Sequence, residues 1–423
     1  MKKIFYLLAI LITISASAFV MKTTTAPKRY LITDYGAKGD SATLNTKAIQ
    51  QAIEQCSSKG GGTVVVPKGI FISGAIFLKK GVNLQVEKGG VLKGSITQDD
   101  YPQIPTRWEG EERTFTSAFI NAIDLNGVEI SGEGTIDGSG DVWTARGRQS
   151  LPEGSPRPAR LGRPRLICFQ NCKNATIANL NLHNQAVWCL HVLYSSNVLV
   201  KNLKITAEHN IPSSDGIDID SSTDVHIVGC DIDVNDDCIS IKSGKDEDGL
   251  RVNRPCKDVL IEKCRFGYGH GGVAMGSETS GGIKNIEVRD CVAEANNWAP
   301  IRFKSQPSRS GVVENITYRN IKLNNTRKAF EFNMAWRMVP PVKPASKVLP
   351  VVRNVKLINV SGTVTAIGDM HGLEGSPITN VVFQDCVLTA DKGFTLDKVE
   401  QVDLSGLKAT VKEGEKVIYV NKL

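Results

Sequence analysis

NATIANL beginning at residue 174, NVLVKNL at 197, DVHIVGC at 224, DVLIEKC at 258 and NIEVRDC at 285 are one phrase written five times. Four more copies follow: NITYRNI at 315, NVKLINV at 354, NVVFQDC at 380 and QVDLSGL at 401. Each opens on a polar turn residue and sets apolar side chains one and three positions on. That period of two is a strand with one buried face. The copies start 21 to 39 residues apart, so a constant phrase is strung on variable intervals. This is the signature of a solenoid with a fixed inner frame and loops of differing length.

A coil of about 20 residues holds three short strands and their turns, which predicts an all-β fold: a single-stranded, right-handed parallel β-helix. Leucine-rich repeats would carry a leucine signature that is missing here. Propellers and sandwiches would need recurrent hairpin turns of the Asn-Gly kind. The sixth residue after each phrase start reads Leu180, Leu203, Cys230, Cys264, Cys291, Ile321, Val360, Cys386, Leu407. Cysteine there alternates with Leu, Ile and Val, so it behaves as a small buried hydrophobe. Stacked neighbours about 4.8 Å apart are too distant for a disulfide, whose Cβ atoms stand about 3.8 Å apart. The ten cysteines are therefore expected to be mostly free thiols. Asn45 followed by TKAIQQAIEQC supplies an N-cap and a helix with Ile49, Ala52, Ile53 and Cys56 on one face, placed to cap the first coils.

Met1-Lys2-Lys3, the apolar run IFYLLAILITI and Ala16-Ser17-Ala18 read as an export signal over residues 1–18. The domain expected after it is one β-helix over 28–423, with MAWRMVPPVKPASKVLP at 334–350 as an excursion between coils. No membrane span is expected once the signal is removed, and a monomer is expected. The net charge of +7 suits an anionic substrate. Nucleic acid is not the expected partner, because no Lys/Arg-rich run or aromatic-basic motif appears.

One region gathers acids. Asp215 precedes the run GIDID, and Asp236-Asp237 precede CISIK, one coil later. In these strands and in GVAMG, IRFKS and AFEFN, the inward residues are Ile217/Ile219, Ile239/Ile241, Val273/Met275, Ile301/Phe303 and Phe330/Phe332. The alternate residues point outward, among them Arg302 and Lys304, and Gly269-His270-Gly271 precedes GVAMG. Any one of these charges on a sheet is ordinary solvation or turn chemistry. Three carboxylates stacked in two layers about 5 Å apart are destabilising unless compensated, so the conjunction points to a site. Paired acids suit glycoside hydrolysis, one protonating the leaving oxygen and another activating water. Arg302 and Lys304 would then bind an acidic sugar's carboxylate.

SSDGIDI at 213, NDDCISI at 235, GHG at 269 and IRFKS at 301 resemble, in order and coil placement, the motifs of polygalacturonases, the pectin-cleaving glycoside hydrolases of family 28. The resemblance runs along nearly the whole chain after the signal. It implies hydrolysis of α-1,4-galacturonosyl linkages with inversion and without metal or other cofactor. It implies Asp236 as general acid, Asp215 and Asp237 as water-activating, His270 as tuning the acid, and Arg302 with Lys304 as gripping the substrate. The family's Asn-Thr before the first acid is Ser213-Ser214 here. The insertion KSGKDEDGLRVNRPC at 242–256 is similar to a stretch in exo-acting members and is placed to close one end of the groove. Competing readings are a rhamnogalacturonan galacturonohydrolase of the same family, a Ca²⁺-dependent β-helical lyase with the Asp trio as its metal site, and a glycan-binding surface protein.

Overall fold

The computed structural model describes residues 28–148, 162–337 and 343–421. The expected signal at 1–18 lies outside the described residues. From Arg29 onward the chain winds into coils of three strands, each pairing in parallel with its counterpart on the next coil. The architecture is the parallel β-helix the repeat implies.

The repeated phrase proves to be a turn signal as much as a strand signal. Asn174, Asn197, Asp224, Asp258, Asn285, Asn315, Asn354, Asn380 and Gln401, its first residues, all have positive φ between 53° and 60°. Five residues on, Asn179, Asn202, Asp290, Asn320, Asn359 and Asp385 are again left-handed. Only Gly and the short side chains of Asn and Asp enter that region cheaply, so the polar opening residue is what bends the coil. The Asn side chains also stack. Asn285 donates to Asp258 at 2.9 Å, Asn315 to Asn285 at 3.1 Å, Asn354 to Asn315 at 3.1 Å and Asn380 to Asn354 at 2.8 Å.

Inside, the expected inward residues from Ile217 to Phe332 are buried to within 1% of full. All ten cysteines are free and buried. The helix Thr46–Ser58 buries Ile49, Ala52, Ile53 and Cys56 on the first coils. Asn45 stands at its N-cap position but does not cap it. Its amide instead accepts from the Lys38 N–H at 2.7 Å and donates to the Thr43 carbonyl at 2.7 Å, stitching the incoming chain together.

One pair of strands falls outside the parallel coils. Gln103–Trp108 and Glu111–Thr116 form an antiparallel hairpin, paired from Gln103↔Thr116 to Trp108↔Glu111. Glu109 and Gly110 make its two-residue turn, both with positive φ (47° and 81°). This hairpin was not anticipated from the sequence, and it decides the shape of the site.

Candidate active site

The site lies on the sheet that contains Ile217–Asp220, Asp237–Lys242, Gly269–Gly276 and Asn297–Lys304 on successive coils. The GHG motif belongs to the strand Gly269–Gly276 rather than preceding it. Two of its neighbours explain the glycines of this region. A Cβ on Gly216 would meet the Cys238 carbonyl at 2.4 Å, so glycine there lets the coils bearing Asp215 and Asp237 close on each other. A Cβ on Gly271 would stand 2.9 Å from Asp237 Oδ1 and 3.3 Å from Arg302 Cδ, in the path between the two.

All six expected residues come together. One carboxylate oxygen from each of Asp215, Asp236 and Asp237 lies within 4.8 Å of the others. The side chains of the two coils converge, so their nearest oxygens approach more closely than the rise of one coil, about 4.8 Å, plus side-chain divergence would give. Three such carboxylates could geometrically share a cation, but the protein already surrounds them with positive groups. His270 Nδ1 stands 3.3 Å from Asp236 Oδ1. Arg302 Nη1 donates to Asp237 Oδ1 at 3.3 Å, and Lys304 Nζ donates to Asp237 Oδ2. Arg302 Nε also donates to Glu331 at 2.6 Å, and the guanidinium lies 4.7 Å over the ring of Trp336. Arg302 and Lys304 thus hold Asp237 and are not idle hands awaiting substrate. Ser214 links the layers, its hydroxyl donating to the Ile211 carbonyl and accepting the Asn235 N–H.

These contacts divide the three acids. Burial, then the charges of Asp218 and Asp236, push the Asp215 carboxyl well above the usual carboxylate range. Burial also acts to raise Asp236, but the His270 hydrogen bond and the Lys304 charge outweigh it and hold that carboxyl below the usual range. His270 rises in return, chiefly through the Asp236 hydrogen bond. The surroundings therefore pull the Asp215 and Asp236 carboxyls in opposite directions.

A second charged layer went unread in the sequence. Asp218, Asp220, Lys242, Glu278, Arg107 and His191 are all buried beside the trio. Arg107 Nη1 donates to Asp220 at 2.8 Å, and Lys242 Nζ stands 3.5 Å from Asp218 and 3.6 Å from Glu278. Burial pushes Asp218 up to about 8 and lowers His191 to about 4. Arg165 Nη1 lies 2.7 Å from His191 Nδ1. A guanidinium can only donate, so that nitrogen is the acceptor of a neutral imidazole.

The hairpin packs beside the site on the side of the earlier coils. Trp108 stacks on Phe115 at 4.5 Å and meets Trp188 at 4.6 Å, and Lys242 sits 4.4 Å over the Trp188 ring. The 242–256 insertion contributes the helix Asp246–Val252, which buttresses the hairpin: Arg251 bonds Glu112 at 2.6 Å and Asp248 accepts the Glu112 N–H at 2.9 Å. The insertion thus props a wall built from residues 103–116.

Fold and site together define a polysaccharide-cleaving glycoside hydrolase built on a parallel β-helix. The chain belongs to glycosyl hydrolases family 28, whose family model matches residues 56–412. It is 31% identical to a probable polygalacturonase of Vitis vinifera, over 84% of this chain and 73% of that one. It is 30% identical to the exo-poly-alpha-D-galacturonosidase of Dickeya chrysanthemi, over 75% of this chain and 58% of that one. The solved hyperthermoactive exopolygalacturonase of Thermotoga maritima superposes with a TM-score of 0.80 at 29% identity, covering 93% of both chains.

Proposed function

We propose that this chain hydrolyses α-1,4-galacturonosyl linkages of pectic chains and removes sugars from a chain end. The observation that carries this reading is the Asp215–Asp236–Asp237 cluster, flanked by Arg302, Lys304 and His270, in a groove that ends at the Trp108–Trp188 wall. Asp236 is the most accessible of the three acids, with 25% of its side chain exposed, and it serves as the proton donor to the leaving oxygen. Asp215 and Asp237 hold the attacking water.

The proton reaches Asp236 through charge redistribution. A sugar carboxylate bound to the spare N–H donors of Lys304 and Arg302 offsets the Lys304 charge that holds Asp236 ionised. With that charge offset, the Asp236 carboxyl rises and takes up the proton it must deliver. Inversion rests on family membership, since the nearest oxygens lie closer than the usual inverting spacing. The leader expected at 1–18 supports work outside the cytoplasm, and no described helix is long and apolar enough to cross a membrane.

The proximity of the three carboxylates favours one other reading, a Ca²⁺-dependent lyase. A single digestion separates the two. Polygalacturonate and rhamnogalacturonan are incubated with the protein, with and without chelator, and products are followed by viscosity, ultraviolet absorbance and proton NMR. The proposal expects small saturated galacturonides from polygalacturonate, a slow fall in viscosity, an inverted (β) anomer formed first, and no effect of chelator. An unsaturated product that disappears with chelator would move the protein to the lyases. A rapid viscosity drop at few cleavages would show endo action.

A further inference from the structure

Asp236, His270, Trp298 and Arg327 stand in one column on four consecutive coils. His270 lies between the register pairs Gly269↔Asn297 and Gly271↔Ala299, which sets it opposite Trp298. Asp236 precedes the pair Asp237↔Gly271, opposite His270. Arg327 lies one coil past Trp298, with its guanidinium 5.1 Å from the centre of that indole ring. The column leads away from the catalytic acids in the direction opposite to the Trp108–Trp188 wall.

The sheet face is more open along this column than at the wall. Trp188 is 4% exposed, whereas Trp298 is 38% exposed. A tryptophan on an open sheet face is more often ordinary surface packing than a site, and an Arg beside it more often solvated. Three observations weigh against that reading here. The Trp298 ring is held in place by its Nε1, which donates to Glu331 at 3.3 Å, the same carboxylate that fixes Arg302. Arg327 forms no ion pair among the described residues, while its neighbour Lys328 is bonded to both Glu331 and Asp369. Finally, coils spaced about 4.8 Å apart advance by close to one hexuronate ring per layer, so a chain leaving the acids over His270 reaches Trp298 and Arg327 next.

We propose that Trp298 and Arg327 form an outer subsite for a uronate residue two to three positions beyond the cut, on the open side of the groove. The indole offers a flat face to the C–H face of the sugar ring, and the guanidinium offers a forked donor to its carboxylate. The wall admits a chain end and this subsite binds the trailing polymer, so the enzyme favours long galacturonides over the disaccharide. The inference rests on the galacturonide-cleaving function proposed above.

The test measures kcat/KM for digalacturonic and hexagalacturonic acid in the unmodified protein, Trp298→Ala and Arg327→Gln, each checked for an unchanged melting profile. The hexamer-to-dimer ratio is expected to fall about tenfold in Trp298→Ala and several-fold in Arg327→Gln, the size of losing one stacking or charged contact. In Arg327→Gln the hexamer KM should also become less sensitive to salt. A ratio unchanged in both variants, with the unmodified protein active, would overturn this inference and leave the functional reading standing. Failure of the unmodified protein to cleave, or to bind in calorimetry, any galacturonide would remove both.

Discussion

Replacing Asp236 by Asn removes a transferable proton while changing little else. Asn keeps the side-chain size, and its Oδ1 can still accept the Asp237 N–H that Asp236 accepts at 2.9 Å. The fold should survive, because the change deletes one of three like charges packed within 4.8 Å of each other. Turnover should fall by about 10²–10⁴-fold, the usual loss when a general acid is removed. Two linked shifts follow from the geometry. The Asp215 carboxyl is raised in part by the Asp236 charge, so its pKa should fall in the variant. His270 owes its raised pKa first to the Asp236 hydrogen bond, so in the variant it should drop towards its ordinary value. The assay pairs reducing-sugar release from polygalacturonate with calorimetric binding, and an NMR titration of the His270 ring protons. Turnover within tenfold of the unmodified enzyme, on a folded protein that still binds substrate, would remove Asp236 from the acid role.

Lys304→Met should do more than weaken substrate capture. It strips the buried Asp237 carboxylate of one of its two cations, so the Michaelis constant for acidic substrates rises, kcat falls, and stability drops by about 3 kcal/mol or more; a melting temperature equal to that of the unmodified protein would show that the Lys304–Asp237 contact is not formed in solution. Thiol titration in denaturant without reductant should find most of the ten cysteines reactive, and a result dominated by disulfides would contradict the packing of Cys230, Cys264 and Cys291 on successive coils.

What the sequence disclosed, and what it hid, follows from how far each interaction reaches. The coil was legible because its causes are local: a left-handed Asn or Asp, then apolar residues one and three positions on. The acidic trio was legible because a step of 21 residues from Asp215 to Asp236 is close to one turn of the coil. The hairpin was missed because its turn is Glu109-Gly110 and not the Asn-Gly or Asp-Gly that marks such turns. TRW and EER flanking a Gly were the available signal. The buried charge layer was hidden for a different reason. Arg107 meets Asp220 across 113 residues of chain, and no periodicity reports a contact between a hairpin and a coil that distant. Asn45 shows the same limit in small: its residue type fits a cap, but a competing partner seven residues earlier takes its side chain. The pairing of Arg302 and Lys304 with Asp237 also depends on side-chain direction across two coils, which alternation alone does not give.

The stacking of coils has a consequence for how damage spreads. Most side-chain hydrogen bonds between coils join residues 23 to 39 positions apart, so each layer leans on the one before and the one after. Stability in such an array is a sum of nearest-neighbour terms. The candidate site occupies a short run from the coil of Asp215 to the coil of Glu331, with further layers on both sides. A lesion in the strands near either terminus would fray the nearest layers first and leave that central run paired, so loss of structure at the ends need not be loss of chemistry in the middle.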